Sequence, residues 1–182
     1  MLTQAKGTVS FELNAKGIPV MKLEFLGAYN APTEEVAMPT GVDYDAFLQP
    51  KTVGKTNTPT FTFHGLSACM SAFSIDLANA LAWRELVNCA SAHSPDRTPT
   101  GSVTMEMPSV TTKNWAEVMR LGTSGACQLV HGVDPGNIVE IAMPAVQCKP
   151  FTLQDDSGIA MLQMPFDINP VAGNDELSII VR

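Results

Sequence analysis

The sequence has little charge, and positive charge is the scarcer kind. Charged residues make up only 16% of the 182 residues, and 18 acids outweigh 11 bases to give a formal net charge of −7. A nucleic-acid-binding protein needs a basic stripe to displace the counterions of the phosphates, so this composition argues against that class. The sequence also lacks an apolar run of about eighteen residues, which a transmembrane helix requires. We therefore expect no membrane association.

Patterns that mark catalytic or metal sites are missing as well. The sequence contains no G-x-S-x-G nucleophile elbow, no phosphate-binding glycine loop and no acidic metal-binding loop. The histidines lack a second ligand at a metal-binding spacing: His64, His93 and His131. A nucleophilic pair of Cys69 with His64 would have to form through the fold, because no local signature supports it. We expect no enzymatic activity, no cofactor and no metal site.

The cysteines do not form a recognisable framework. None of them belongs to a C-x-x-C pair: Cys69, Cys89, Cys127 and Cys148. Disulfide frameworks are typical of small secreted domains with little core, whereas 45% of this chain is apolar. The pattern therefore predicts buried, reduced thiols in a cytosolic protein.

The sequence does contain a succession of short strand patterns. Apolar and polar residues alternate from Gly7 to Leu13, which is typical of a strand with one buried face. The turn residues Asn14–Gly17 then predict a hairpin. The returning strand is expected to direct three apolar side chains into the core: Met21, Leu23 and Phe25. About ten such strands, separated by turns, predict a mainly β fold, a two-sheet β-sandwich or barrel, in a single domain over residues 1–182.

Further along the chain, local signals predict where strands continue and end. Arg84–Cys89 is expected to continue a sheet, and Pro144 to close a strand that begins at Asn137. The turn residues Asp155–Gly158 give the strongest hairpin signal in the sequence. Both aspartates there fit a turn without any catalytic role.

One segment predicts a helix that flanks the sheet. Asn114, followed three residues later by Glu117, has the form of a capping box, and Gly122 suits a left-handed C-terminal cap. Apolar residues at i, i+3 and i+4 define the face expected to pack on the sheet: Trp115, Val118 and Met119. So short a helix is marginal in water, so it must bury that face.

The segment from about residue 27 to 59 loses all periodicity. Connections longer than about 12–15 residues are uncommon in compact domains and tend to be functional. Within it lie an acid and three apolar side chains that we take as candidate inter-subunit contacts: Asp43, Tyr44, Phe47 and Leu48. This segment is either an arm that binds another molecule or a surface loop packed on its own domain.

The order of these elements resembles the major tail tube proteins of long-tailed, siphovirus-like phages and prophages. The resemblance runs from about Lys6 to the C-terminus. The matching stretches are Ser74–Asn79, Arg97–Ser102, Gly136–Ile141, Asp156–Ile159 and Gly173–Leu177.

The resemblance implies that protomers join their sheets into rings, in the host cytoplasm, and that the rings stack into a hollow virion tail tube. DNA would then be a non-specific cargo, repelled by an acidic lumen, and other tail proteins would be partners. The long loop would reach an adjacent subunit or ring. A terminator or baseplate ring is an alternative. A ligand-binding β-sandwich is a further one, but it would need exposed aromatics, whereas Trp83 and Trp115 are expected to be buried.

Overall fold

A computed structural model describes residues 2–31, 34, 41 and 48–182. Its described part holds thirteen strands and one helix. The strands are β1 (Leu2–Asn14), β2 (Val20–Tyr29), β3 (Thr60–Phe63), β4 (Leu66–Ser67), β5 (Met70–Asp76), β6 (Ala82–Leu86), β7 (Cys89–His93), β8 (Thr100–Glu106), β9 (Ser124–His131), β10 (Val139–Cys148), β11 (Thr152–Asp156), β12 (Ile159–Asn169) and β13 (Ser178–Val181). The helix, α1, spans Trp115–Leu121 and lies between β8 and β9.

Eleven strands form one antiparallel sheet that folds over on itself. Its order is β2-β1-β5-β8-β12-β10-β9-β3-β4, with β11 paired to β12 and β13 paired to β10. Four strands separate β5 from β3 in this order, yet the rings of Phe73 and Phe61 have centroids 5.7 Å apart. The two layers of the fold are therefore halves of one continuous sheet. The predicted mainly β fold with one flanking helix is confirmed; its single-domain organisation stays a prediction.

An aromatic cluster fills the space between the two layers. Phe63 lies at its centre, with ring centroids 5.5 Å from those of both Trp115 and Phe166. Phe166 stacks in turn on Phe73. Burying each such ring stabilises the fold by roughly 1.5–3 kcal/mol. Because these residues come from both halves of the sheet and from the helix, the cluster holds the layers together.

The first hairpin forms as predicted, but the burial of its second strand was predicted wrongly. Phe11 and Leu13 of β1 are buried. In β2, Met21, Leu23 and Phe25 are between 53% and 57% exposed. The register places Met21 opposite Phe11, so the alternation did identify the core-side face. However, β2 is the edge strand, and the core ends before it.

Two prolines lie within strands, contrary to the expectation that Pro144 ends one. β10 continues through Pro144, where its partner changes from β13 to β12 and its register with β9 shifts. β12 contains Pro165 between its pairing with β11, which ends at Gln163, and with β10, which begins at Phe166. A proline lacks the N–H needed for a ladder bond, so bulges and changes of partner accommodate it.

The prediction for Arg84–Cys89 was also wrong. These residues straddle the turn of a separate two-stranded hairpin, β6–β7. The turn residues are Val87 and Asn88, and Asn88 has φ of 70°. Asparagine tolerates this left-handed conformation because its short polar side chain can bond locally. The left-handed conformation of Asn88 therefore lets the chain reverse within Arg84–Cys89, a segment whose other residues are typical of a strand.

The helix has the predicted caps. The Asn114 side chain accepts a hydrogen bond from the Glu117 N–H at 3.1 Å, and Gly122 has φ of 61°. The Glu117 carboxylate does not reach back to complete a capping box. It accepts two hydrogen bonds from Arg120 instead. The predicted packing face lies towards the sheet: Trp115 is only 2% exposed, and Val118 and Met119 are half-buried.

Candidate assembly surfaces

The outer edge of the sheet carries a row of apolar side chains, here called the β2 overhang: Met21, Leu23 and Phe25. They lie on the core-side face but stay more than half exposed, although the β6–β7 hairpin also contacts β2. Phe25 lies directly over the backbone of Gly7, where a Cβ would come within 2.7 Å of its ring. The outer side of β2 pairs with no other described strand. An edge strand with exposed apolar residues is a template for another chain.

The opposite face of the same sheet is polar. The registers align hydroxyl and carboxylate side chains across neighbouring strands, and we call this surface the polar face: Thr8, Ser10, Glu12, Glu24, Ser74, Asp76, Thr100, Ser102, Thr104, Glu106 and Asp167. The hydroxyls of Ser74 and Ser102 lie 3.0 Å apart. The sheet is therefore two-sided, with the aromatic core behind and a hydrophilic surface in front.

The charge of the polar face is negative. Lys22 neutralises Glu12 at 2.5 Å, and Lys149 neutralises Asp167 at 2.6 Å. Three carboxylates have no ion pair within the described part of the chain: Glu24, Asp76 and Glu106. Sequence patterns could not place these acids on one face, because the registers that align them join strands far apart along the chain.

The C-terminal part of the long connection is bound to the body of the protein. Val53 is buried, and its N–H donates to the Gly17 carbonyl at 2.8 Å. In return, the Lys16 N–H donates to the Val53 carbonyl at 2.9 Å. Further on, the Gly132 N–H donates to the Asn57 carbonyl at 2.7 Å. Since β2 extends to Tyr29, the predicted loop over residues 27–59 also starts later than expected.

Of the candidate contacts in that connection, only Leu48 lies within the described residues. It is about half exposed, and its side chain lies near Gly136. Asp43, Tyr44 and Phe47 lie outside the described residues. Their role as inter-subunit contacts stays a prediction.

His131 fastens this same segment to β9. Its Nδ1 lies 3.0 Å from the Thr58 hydroxyl oxygen. Burial lowers the pKa of His131, and this outweighs a hydrogen bond with the backbone of Lys51 that acts in the opposite direction. The imidazole is therefore held in its neutral form. His131 is the last residue of β9 and is buried.

His64 links the segment before α1 to the sheet. It lies in the two-residue turn between β3 and β4, with φ of 50°. Its ring occupies the space beside Gly125, where a Cβ would come within 2.4 Å. Lys113, just before α1, donates to the His64 carbonyl at 2.8 Å. Burial, assisted by the charge of Lys113, lowers the pKa of the imidazole against a raising hydrogen bond with Val146.

The cysteine beside His64 is Cys148, not Cys69. The Cys148 sulfur lies 3.4 Å from His64 Nε2, and Cys69 is exposed. Burial raises the pKa of the Cys148 and Cys127 thiols to about 12. Thiols that stay protonated at neutral pH are poor nucleophiles and poor metal ligands. The expectation of four buried thiols was wrong for Cys69 and Cys89, which are exposed.

Other candidate sites offer no reaction centre. Among the described residues, no three His, Cys, Asp or Glu side chains are grouped to hold a metal ion. His93 is exposed, and its ring nitrogen lies 2.9 Å from the Ser91 hydroxyl. Trp115 is buried as predicted, but Trp83 is 39% exposed, because its hairpin lies outside the large sheet. In the described part of the chain, α1 falls far short of the length that a membrane-crossing helix needs.

These features define a β-rich structural protein whose distinctive surfaces are an unpaired edge and a polar sheet face. The chain belongs to the phage tail tube protein family, whose family model matches residues 2–176. No curated protein sequence matches it. The chain is thus a structural protein of the virion tail, where it associates with copies of itself and with other tail proteins.

Proposed function

We propose that this chain forms rings that stack into the hollow tail tube through which phage DNA passes. The observation that carries the proposal is the β2 overhang, together with the polar face on the opposite side of the same sheet. In the ring, the edge of β2 joins the sheet of the next copy. The polar face then continues from subunit to subunit around the channel.

The chemistry of β2 supports this ring contact. A neighbouring strand added at the edge satisfies the free backbone groups of β2, and the neighbour's body covers its exposed apolar row. Burying the three overhang side chains contributes about 0.8 kcal/mol for each buried CH₂ group. The contact joins two different surfaces, and such a contact gives a ring when its rotation closes and an open filament when it does not. In the proposed ring the rotation closes.

The polar face suits a DNA channel because, among the described residues, its unpaired carboxylates outnumber its unpaired cations, even though Lys6 lies on the same side of β1 as Thr8. Lys22 and Lys149 form ion pairs with Glu12 and Asp167. The carboxylates of Glu24, Asp76 and Glu106 are left without an ion pair among the described residues. Like charges keep the phosphate backbone away from the wall. The hydroxyl side chains keep the surface hydrated without adding positive charge. DNA therefore passes as a non-specific cargo.

The segment over residues 27–59 serves as the arm that contacts an adjacent subunit or ring. Its base is fixed by Val53 and by Thr58 on His131. Leu48, which belongs to the described part of the arm, is half exposed beside Gly136. Asp43, Tyr44 and Phe47 complete the contact.

Electron microscopy of the purified protein tests the proposal. The native protein is expected to form rings or tubes at high concentration, and Leu23→Lys is expected to abolish them because it places a charge in the centre of the β2 overhang. Val171→Lys, a change at a residue that is also exposed but lies outside the overhang, is the matched control and should assemble normally.

Circular dichroism should show the same fold for all three proteins. Native protein that stays monomeric across salt and concentration, or Leu23→Lys protein that still assembles, contradicts the ring contact. Native rings that never stack would instead indicate a terminator or baseplate ring.

A further inference from the structure

Two hairpins leave the large sheet at opposite ends, and β8 spans the distance between them. Thr100, its first residue, pairs with Asp76, where the chain leaves β5 for the β6–β7 hairpin. Glu106, its last residue, pairs with Met161, close to the turn between β11 and β12. The seven residues of β8 extend over about 20 Å. One hairpin therefore lies at each end of the subunit along the strand direction.

The β6–β7 hairpin ends in an apolar tip beside a positive charge. Val87, at the turn, is 90% exposed, and Leu86 is about half exposed. Polar residues are the usual occupants of such turns. Arg84 shares a face with Leu86, opposite the face on which Ala92 is buried. Within the described residues the Arg84 guanidinium forms no ion pair, and the hairpin itself lies against β1 and β2.

The β11–β12 turn has the complementary composition. Asp155 and Asp156 immediately precede the turn, and neither is paired with a cation in the part of the chain that the structure describes. They are held locally: Asp155 accepts from the Gly158 N–H at 3.4 Å. Leu153 and Ile159, on either side of the turn, are both more than half exposed. This tip therefore combines two negative charges with exposed apolar side chains.

We propose that the β6–β7 hairpin of one copy docks on the β11–β12 turn of a second copy, head to tail. Arg84 pairs with the carboxylates at the tip, Asp155 and Asp156, and Leu86 and Val87 pack against Ile159, which lies opposite Asp156 in the register. This contact rests on the proposed function, in which it joins successive rings. A second copy is the occupant because complementary charges lie at opposite ends of the same subunit. Such a contact repeats without limit when each copy adds to the end of the last.

Charge reversal tests this contact. Arg84→Glu, and separately the double change Asp155→Lys with Asp156→Lys, should each raise the concentration needed for tube growth at least tenfold while rings persist. Combining all three changes should restore stacking, because the charges are exchanged. Glu85→Lys, on the other face of β6, is the matched control and should stack as the native protein does.

The outcomes separate the two proposals. Native protein without rings overturns the proposed function and this contact with it. Native stacking by Arg84→Glu, or failure of the combined variant to regain stacking, overturns the hairpin contact alone.

Cross-linking provides an independent measurement. Cys89, at the base of the β6–β7 turn, is exposed, and the other exposed thiol is removed by Cys69→Ser. In that background, Asp156→Cys with a short bismaleimide should give a ladder of linked copies. Leu121→Cys, on the exposed side of α1, is the control. A ladder no stronger than that of the control overturns the contact.

Discussion

The two ends of the sheet use the same alternating pattern with opposite results. At one end, β3, β9, β10 and α1 enclose the aromatic cluster, and Phe63 and Leu129 are fully buried. At the other end, the β1–β2 ribbon presents the β2 overhang, whose side chains are more than half exposed. Both ends have apolar residues on the same side of the sheet. The difference is whether the chain supplies a second layer.

This comparison shows that one end of the sheet stabilises the monomer and the other end is available for association. The closed end supplies the cooperative core of the monomer, because its apolar surface is removed from water within one chain. The open end retains apolar surface that only a partner removes. A change at the closed end should therefore affect folding, and a change at the open end should affect assembly.

The largest effect is expected from Trp115→Ala at the closed end. Loss of this buried ring, 5.5 Å from Phe63, should lower the free energy of unfolding by about 3–5 kcal/mol. Leu23→Ala at the open end should change monomer stability by no more than about 0.5 kcal/mol. Urea denaturation of dilute, unassembled protein measures both, and equal losses would remove the distinction between the two ends.

Trp115→Phe sharpens this test. The Trp115 Nε1 is buried and has no hydrogen-bond partner among the described residues. Phenylalanine removes that unsatisfied N–H while keeping an aromatic ring, so we expect a much smaller loss than for alanine.

An intermediate effect is expected from acid, also at the closed end. The pKa values of His64 and His131 are lowered in the folded state, mainly by burial. Above the ordinary histidine pKa of about 6.5, both histidines are neutral in the folded and in the unfolded protein. Their burial then takes nothing from the free energy of unfolding. As the pH falls below this value, the unfolded chain binds protons that the folded chain resists. Stability should then fall by at most about 1.4 kcal/mol per pH unit for each histidine.

Denaturation at pH 7 and pH 5 measures this slope. His64→Asn with His131→Gln removes both titrating groups, and asparagine suits the left-handed turn at position 64. The double variant should lose less stability between the two pH values than the native protein does. The same loss in both would assign the acid sensitivity to other groups.

The smallest effect is expected from Asn114→Ala at the start of α1. It removes the hydrogen bond to the Glu117 N–H and should cost about 1 kcal/mol. Asn114→Ser retains a cap and should be close to native. Thermal unfolding compares the two variants, and an alanine variant as stable as the serine one would show that the cap contributes nothing.

Local chemistry was predictable from the sequence, and burial was not. The caps at Asn114 and Gly122 and the turn at Asp155–Gly158 depend on neighbouring residues, and they form where predicted. The exposure of Leu23 depends on where β2 falls in the order of strands. No periodicity in β2 itself reports that position, so the alternation predicts a core strand where the structure has an edge strand.

The candidate surfaces divide in the same way. The low content of basic residues argues against nucleic-acid binding, and it can be read from composition alone. The grouping of Glu24, Asp76 and Glu106 on one face required the register of β1 with β2 and of β5 and β12 with β8. The contact between His64 and Cys148 joins residues 84 positions apart, so no spacing rule could have identified it.

Pro144 and Pro165 also affect where foreign chains can attach. Each stands at a corner where its strand changes partner, and neither has an amide hydrogen to offer. An incoming strand therefore finds no donor at these two breaks in the ladder, which would otherwise be the weakest points for invasion. Of the two strands that end the order of the large sheet, β2 has ten residues and β4 only two, so β2 offers the longer margin for an added strand.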